Sequence, residues 1–267
     1  MNKLETFFNL HQQDKPLILP NAWDAASARI IEDQGALAIA TTSAGVAWGL
    51  GHRDGHILPV SLLAQVAQSI TRVIKIPLSI DFENGYSDNA KVVAENIKAL
   101  LDAGIVGINL EDGRDSPDVL SAKISAIKSV VESRGSRLFI NARTDVYLAG
   151  LVPAEEAVNE VIKRAKLYKD AGADGLFVPV ITDEGEIAQI AQNVSLPLNV
   201  MAMPGLGNAD ELGALGVKRL SAGAWITQIA FQTTAKLAKA FLTEGDSAVF
   251  EEDAMSGAML QELFADK

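Results

Sequence analysis

The sequence predicts one (β/α)8 barrel, and three observations predict it. Eight short apolar runs alternate with eight helical patterns along the chain. The runs lack the in-out alternation of half-exposed strands, so they read as a parallel sheet covered by helices. Glycine recurs at one joint: Gly35, Gly104, Gly172 and Gly216 each follow a helical stretch and precede a strand, the usual place of a helix C-cap. A chain of 267 residues has the length of one such barrel.

Taken in order, the strands fall at 16–20, 37–41, 77–81, 106–110, 137–141, 175–179, 197–201 and 217–221. The helices fall at about 24–34, 60–74, 88–102, 118–133, 154–171, 184–193, 208–215 and 223–243. A doubly wound open sheet competes with the barrel, but no Gly-x-Gly-x-x-Gly fingerprint follows the first strand. The whole chain, 1–267, reads as one domain, with 244–267 as a C-terminal helical extension. In that tail Ala254, Met255, Met259 and Leu263 can share a stripe, which would cap the barrel or, as the preferred expectation, pack on a partner subunit.

Composition narrows the function. A net charge of −11 disfavours nucleic acid and anionic membrane as partners. The absence of cysteine excludes a disulfide framework, a thiolate nucleophile and a Cys-ligated metal. The polar start, MNKLETFFNLHQQDKP, has no apolar signal core, and no run of 18 apolar residues suggests a membrane span. The expectation is a cytoplasmic protein.

Barrel active sites form at the C-terminal ends of the strands. There this chain places Asn21 and Asp24, the glycine- and hydroxyl-rich TTSAGVAWGLGHRDG, Asp81 and Glu83, Glu111 and Asp112, then Arg143 to Asp145, and Asn199. Asp81, Glu83 and either Glu111 or Asp112 could surround one hard divalent cation. Carboxylates without histidine favour Mg2+, or Mn2+, over zinc. Arg143 supplies a planar fork for a substrate carboxylate or a developing oxyanion. Each piece alone has a plainer reading: a wet turn for Asp81–Glu83, a helix cap for Asp24 or Asp112, an ion pair for Arg143–Asp145. Their joint occurrence on three adjacent strand ends argues for a site. His11 reads as a surface residue, and His52 and His56 as loop residues without an assigned role.

The stretches PNAWDAASARIIEDQGALAIATTSAG, DFENGY, GINLED and NARTDVYL resemble the isocitrate lyase / phosphoenolpyruvate mutase superfamily, and most of all its short carboxyvinyl-carboxyphosphonate phosphorylmutase-like members. The resemblance runs from about residue 16 to about 243. It implies a (β/α)8 barrel whose eighth helix is exchanged between subunits, a homodimer or homotetramer, Mg2+, and a small 2-oxo or dicarboxylic acid substrate. It also implies an enolate-like intermediate. On this chain it makes Asp81 the direct metal ligand, with Glu83 and Glu111 holding metal-bound water. Asp54 becomes a further active-site acid. Thr42, Ser43 and Ala44 become the segment that holds the 2-oxo acid, Arg143 the substrate arginine, and Asn199 a contact to the distal part of the substrate.

Departures from the family pattern shape the expected reaction. The lyases of this superfamily carry a cysteine loop after the position of GINLED; here the text is GRDSPDVLSAKIS. The mutase-type loop is not evident either. The expectation is therefore a Mg2+-dependent lyase or decarboxylase acting on an oxaloacetate-like acid, because CO2 asks least of the altered loops. Alternatives are C–P bond hydrolysis or mutation, and a barrel that binds a small carboxylate without turnover.

Overall fold

A computed structural model describes residues 2–250 and 254–265. The parts of the tail expectation that fall on 251–253 and 266–267 lie outside the described residues. The chain runs α1 (Lys3–Leu10), β1 (Leu17–Leu19), β2 (Asn21–Ala22), α2 (Ala25–Asp33), β3 (Ile39–Thr41), α3 (Ser43–Gly49), α4 (Val60–Val73), β4 (Leu78–Asp81) and α5 (Ala90–Asp102). It continues with β5 (Gly107–Glu111), α6 (Pro117–Ser133), β6 (Phe139–Arg143), α7 (Val146–Ala149), α8 (Ala157–Ala171), β7 (Gly175–Val178) and α9 (Glu184–Asn193). It ends with β8 (Leu198–Met201), α10 (Ala209–Ala214), β9 (Val217–Ser221), α11 (Trp225–Glu244) and α12 (Gly257–Leu263).

All strand pairs are parallel, and the sheet order β1-β9-β8-β7-β6-β5-β4-β3-β2 closes on itself. β1 and β2 are two halves of one edge-to-edge strand. Pro20 between them has no N–H to give to a ladder, so the upper half pairs with β3 and the lower half with β9. This is the predicted eight-unit barrel. The four joint glycines all adopt left-handed φ, between 85° and 109°, a conformation that costs glycine least.

The helices bury one apolar face against the strands. α4, for example, places Leu63, Ala67 and Ile70 inward, at the spacing that puts them on one stripe. Three helices were not anticipated, one of them the single turn α7 after β6. α1 closes the bottom of the barrel: Phe7 is fully buried, edge-on to Phe139 at 5.4 Å. Gly107 makes room for it, since a Cβ there would lie 2.7 Å from the Phe7 ring. His11 ends this helix, stacked on Phe139 at 4.1 Å and only 2% exposed. The surface expectation for His11 is corrected, because its ring serves as part of the plug. α3 replaces what read as a loop after the second strand.

The tail also departs from expectation. Ala254 and Met255 precede α12, and Met259 is 58% exposed, so the four proposed residues do not form one stripe. Leu263 alone is buried, and Arg29 Nε of α2 donates to its carbonyl at 2.9 Å, so α12 docks on the chain's own first barrel helix. α11 behaves differently from the other barrel helices. Of its described side chains only Thr227 is buried, while Ile229, Phe231 and Leu242 are exposed. Beside it, an apolar groove of roughly 860 Å3 lies open between Ile18, Pro20, Ile30, Ile31, Leu37 and Ile226.

Candidate active site

Three strands deliver their last residue to one point. Asp81 ends β4, Glu111 ends β5 and Arg143 ends β6, and the last two face each other in register. Arg143 Nη1 lies 2.8 Å from Glu111 Oε2, and its Nε and Nη2 bind both oxygens of Asp145 at 2.7 and 3.1 Å. Two of the five N–H donors of the guanidinium are thereby hydrogen-bonded, both to Asp145, while Glu111 holds Nη1 as an ion pair. Burial opposes the charge on Arg143, but Glu111 and Asp145 outweigh it and raise its pKa.

DFENGY is not a wet turn. Asp81, Phe82 and Glu83 are all buried, and the turn is held from beneath by Lys123 Nζ on the Asn84 carbonyl at 3.0 Å and by Asn96 on the Gly85 carbonyl at 3.0 Å. Glu83 takes a left-handed φ of 48°, unusual for a residue with a side chain. That conformation is fixed by its contacts: the Glu83 carbonyl accepts from Glu111 N–H at 2.9 Å, and Tyr86 O–H donates to Oε1 at 2.5 Å. Gly85 follows with φ of 84°, where a Cβ would strike Val93 at 2.5 Å.

Asp81 stands at the centre. Its Oδ2 accepts from Ser43 N–H at 3.2 Å, its own N–H donates to Thr41 Oγ1 at 2.8 Å, and its Oδ1 meets no protein donor among the described residues. Burial first, then the neighbouring Glu111 charge, push its pKa up to about 7. Glu83 is also raised, chiefly by burial. For Glu111 burial works upward, but the His56 hydrogen bond and Arg143 win, and its pKa is lowered.

The structure brings Thr42, Ser43 and Ala44 to this point through α3, whose first residue is Ser43. Gly45 lets the helix come close: a Cβ there would lie 2.7 Å from both Thr42 Cγ2 and Thr227 Oγ1. Asp54 sits exposed on the loop above, near enough to raise the pKa values of Glu83 and His56 by its charge. Asn199 lies lower, fully buried inside the barrel. Its Nδ2 donates to the Arg219 carbonyl and Ser221 Oγ, and its Oδ1 accepts from Asn141 at 3.0 Å. Asn21 clasps the barrel instead of the pocket, and Asp24 caps α2 through Ser27. Asp112 has a structural position too. It accepts from Thr144 O–H, Asp145 N–H, Arg164 Nη1 and Tyr168 O–H at 2.5–2.8 Å.

Sequence reasoning left out His56 and Tyr86. His56 folds down from the loop with φ of 64°; its Nε2 lies 2.8 Å from Glu111 Oε1 and its N–H donates to Glu83 Oε2. The Glu111 hydrogen bond raises its pKa against the effect of burial. The one signal in the sequence was its place two residues after Asp54, in a loop punctuated by glycine.

Among the described residues no three His, Asp or Glu groups form a ready cage for an ion. The donor set nonetheless suits an oxygen-preferring cation that keeps its waters. Of the four lone-pair positions on the Asp81 carboxylate, the protein occupies one. Asp81 could hold such a cation directly, and Glu83 and Glu111 could reach it through water.

A closed parallel barrel with carboxylates and an arginine gathered at its C-terminal rim is the layout of a barrel enzyme that works at that face. Residues 7–242 match the phosphoenolpyruvate phosphomutase family, and the chain belongs to it, within the phosphoenolpyruvate mutase / isocitrate lyase superfamily. An uncharacterized protein of Mycobacterium tuberculosis is 40% identical over 82% of this chain and 81% of its own. The oxaloacetate decarboxylase of Pseudomonas fluorescens is 32% identical over 76% of this chain and 72% of its own. Among solved structures, a Burkholderia cenocepacia protein assigned as a phosphonomutase superposes with a TM-score of 0.85 at 37% identity, covering 89% of this chain and 99% of its own.

Proposed function

We propose that the protein is a Mg2+-dependent lyase that decarboxylates a small 2-oxo dicarboxylic acid of the oxaloacetate type. The observation that carries this reading is an asymmetry of the rim. The enolate side is furnished with Asp81, Glu83, Glu111 and Arg143, while the β5–α6 connector, 112–116, is short. Its one buried side chain, Asp112, is fully engaged with protein donors. A leaving group that departs as CO2 needs no acid from that connector. The identity to oxaloacetate decarboxylases points the same way.

Asp81 would hold the metal, with Glu83 and Glu111 ordering its waters. When bound, Mg2+ would polarise the substrate carbonyl and offset charge on the nascent enolate. Arg143, anchored by Asp145 and Glu111, would present N–H groups not bonded to Asp145 to the 1-carboxylate or the enolate oxygen. As the bond to the distal carboxylate breaks, its electron pair passes to the carbonyl oxygen. The enolate is later protonated at carbon from solvent. Interactions that strengthen as this charge grows are the ones that raise the rate.

The test is a substrate panel of oxaloacetate, phosphonopyruvate, methylisocitrate and 2-alkyl malates, with and without Mg2+. Metal-dependent pyruvate formation from oxaloacetate is expected. Asp81→Ala is expected to abolish it while the barrel stays folded, and a fully active variant would overturn the metal assignment. Turnover of phosphonopyruvate alone would favour C–P chemistry, in keeping with the phosphonomutase-like structural neighbour. Tight Mg2+-dependent oxalate binding without any turnover would favour a carboxylate-binding barrel.

We also propose that a second copy of the chain covers the open groove beside α11. The groove and the exposed face of α11 are both apolar, adjacent, and larger than scattered surface residues explain.

A further inference from the structure

Beneath the site lies a buried cation that has no carboxylate in contact among the described residues. Arg219 is the middle residue of β9, on its inward face, and is 1% exposed. Its Nη2 donates to Asn109 Oδ1 at 3.3 Å; among the described residues its Nε and Nη1 meet no protein acceptor. Asn109 stands beside Asp81 in strand register, so the guanidinium reaches the foot of the catalytic carboxylate. Burial lowers the Arg219 pKa to about 9, with Asp81 opposing, and leaves the group cationic at neutral pH.

Three more buried atoms of the same interior lack a protein partner: Asp81 Oδ1, Ser79 Oγ one pleat below it, and His11 Nε2 in the plug. Ser79 faces the axis, since a Cβ on Gly107 would meet its Oγ at 3.1 Å and Phe7 at 2.7 Å. The Arg219 charge also reaches His11, helping burial to bring its pKa down to about 3. Buried polar groups are nearly always paired, and a missed bond costs about 1–3 kcal/mol. Several such atoms along one axis point to a shared occupant.

Their chemistry identifies it. The Arg219 nitrogens only donate. Asp81 Oδ1, when ionised, only accepts. His11 Nε2 accepts as well, because Nδ1 lies 2.8 Å from the Phe7 carbonyl and must carry the proton there. An anion would suit the arginine and be repelled by Asp81. Water both accepts and donates, and matches every member. We propose that the barrel interior under the active site binds ordered water between Arg219, Ser79, Asp81 and His11, and that Arg219 is a positioning residue acting on Asp81 through it. The water site stands apart from the proposed chemistry; the positioning role rests on the reading of Asp81 given above.

A crystal structure of the native protein at atomic resolution tests the first half. Water is expected within hydrogen-bonding distance of Arg219 Nε or Nη1 and of Asp81 Oδ1 or Ser79 Oγ; clear absence of density there overturns the proposal. For the second half, Arg219→Met is expected to lower kcat for oxaloacetate about tenfold with KM little changed. Its crystal structure is expected to show Asp81 released from Ser43 N–H. Because Arg219 makes only one long direct bond, its charge matters more than its fork, so Arg219→Lys should keep kcat within about threefold. Equal loss in both variants, or none in Arg219→Met, overturns the positioning role. If Arg219→Met does not fold, the native structure and Arg219→Lys still decide. A native protein inactive on oxaloacetate would fail the functional reading while leaving the water site to crystallography.

Discussion

Asp81 is held at odds with its ordinary chemistry: it is buried, close to Glu111, and its pKa is raised to about 7. A carboxyl raised on folding stabilises the native state while protonated, and that contribution is lost as pH rises through the folded value. His56, raised by its Glu111 partner, works in the same direction. Without divalent cation these two groups give stability a slope that falls from pH 5 to pH 8, opposed by His11, whose pKa burial lowers to about 3 and which destabilises the fold as pH drops through the ordinary imidazole range. Asp81→Asn should flatten much of that slope in thermal melts, and an unchanged slope would show that Asp81 is not its source. Arg143 is committed on one side to two carboxylates, so its geometry cannot be reproduced by a point charge. Arg143→Lys is expected to lose at least about tenfold in kcat/KM with 2-oxo acids. These acidic residues and Arg143 were legible in the sequence because they stand where apolar strand runs end. His56 was not, since only the folding of a long loop brings it to Glu111. Arg219 was hidden differently: in VKRLS it follows Lys218, and only strand alternation turns one charge outward and the other to the barrel axis.

At the scale of elements, the strands and main helices were legible for a physical reason. A barrel strand is covered on both faces, so it appears as an unbroken apolar run, and left-handed glycines mark where several of the helices stop. α3 escaped because SAGVAWG carries two glycines, poor helix formers, and is stabilised by packing against Trp23 and Thr227. α1 escaped because it is short and precedes the first strand, outside the strand–helix alternation; Phe7 is its one fully buried side chain, with Leu4, Phe8 and Leu10 packed partly against the same plug. The β5–α6 connector shows how a motif can be divided between tasks. Glu111 turns to the site, while the adjacent Asp112 ties β5 to β6 and α8 through four donors. Asp112→Ala would leave Arg164 buried and without that partner. A loss of about 3 kcal/mol in denaturant unfolding is expected, and a near-neutral result would refute this structural role.

For the whole molecule, α11 and the groove set the terms. A 20-residue helix with Ile229, Phe231 and Leu242 exposed buries only part of its apolar surface on its own barrel, through Phe231 against Trp23 and Trp48. A second copy would supply the remaining burial without any change in the chain's conformation. Light scattering of the purified protein should give a multiple of the chain mass, and the double substitution Ile229→Asp with Phe231→Asp should reduce it. A native protein that remains monomeric at high concentration would sink the proposal. The net charge of −11 does not prevent such association, because the surfaces concerned are apolar and screening at physiological salt is short-ranged.

Pro20 gives the barrel a seam. The upper and lower halves of the first strand are zipped to different neighbours, by two and three residue pairs. Asn21 stitches the seam at its top, taking the N–H groups of Ala222 and Gly223 and donating to the Thr41 carbonyl. That stitch lies one residue from Thr42 and two from Ser43, the N–H that steadies Asp81. Whatever loosens the seam therefore loosens the Asp81 carboxylate. In hydrogen–deuterium exchange the amides of Ala222, Gly223 and Ser43 should lose protection together, well before those of the central strands. If a second copy does lie over the neighbouring groove, dilution would speed that exchange, and the protein's own concentration would act as an effector of its active site.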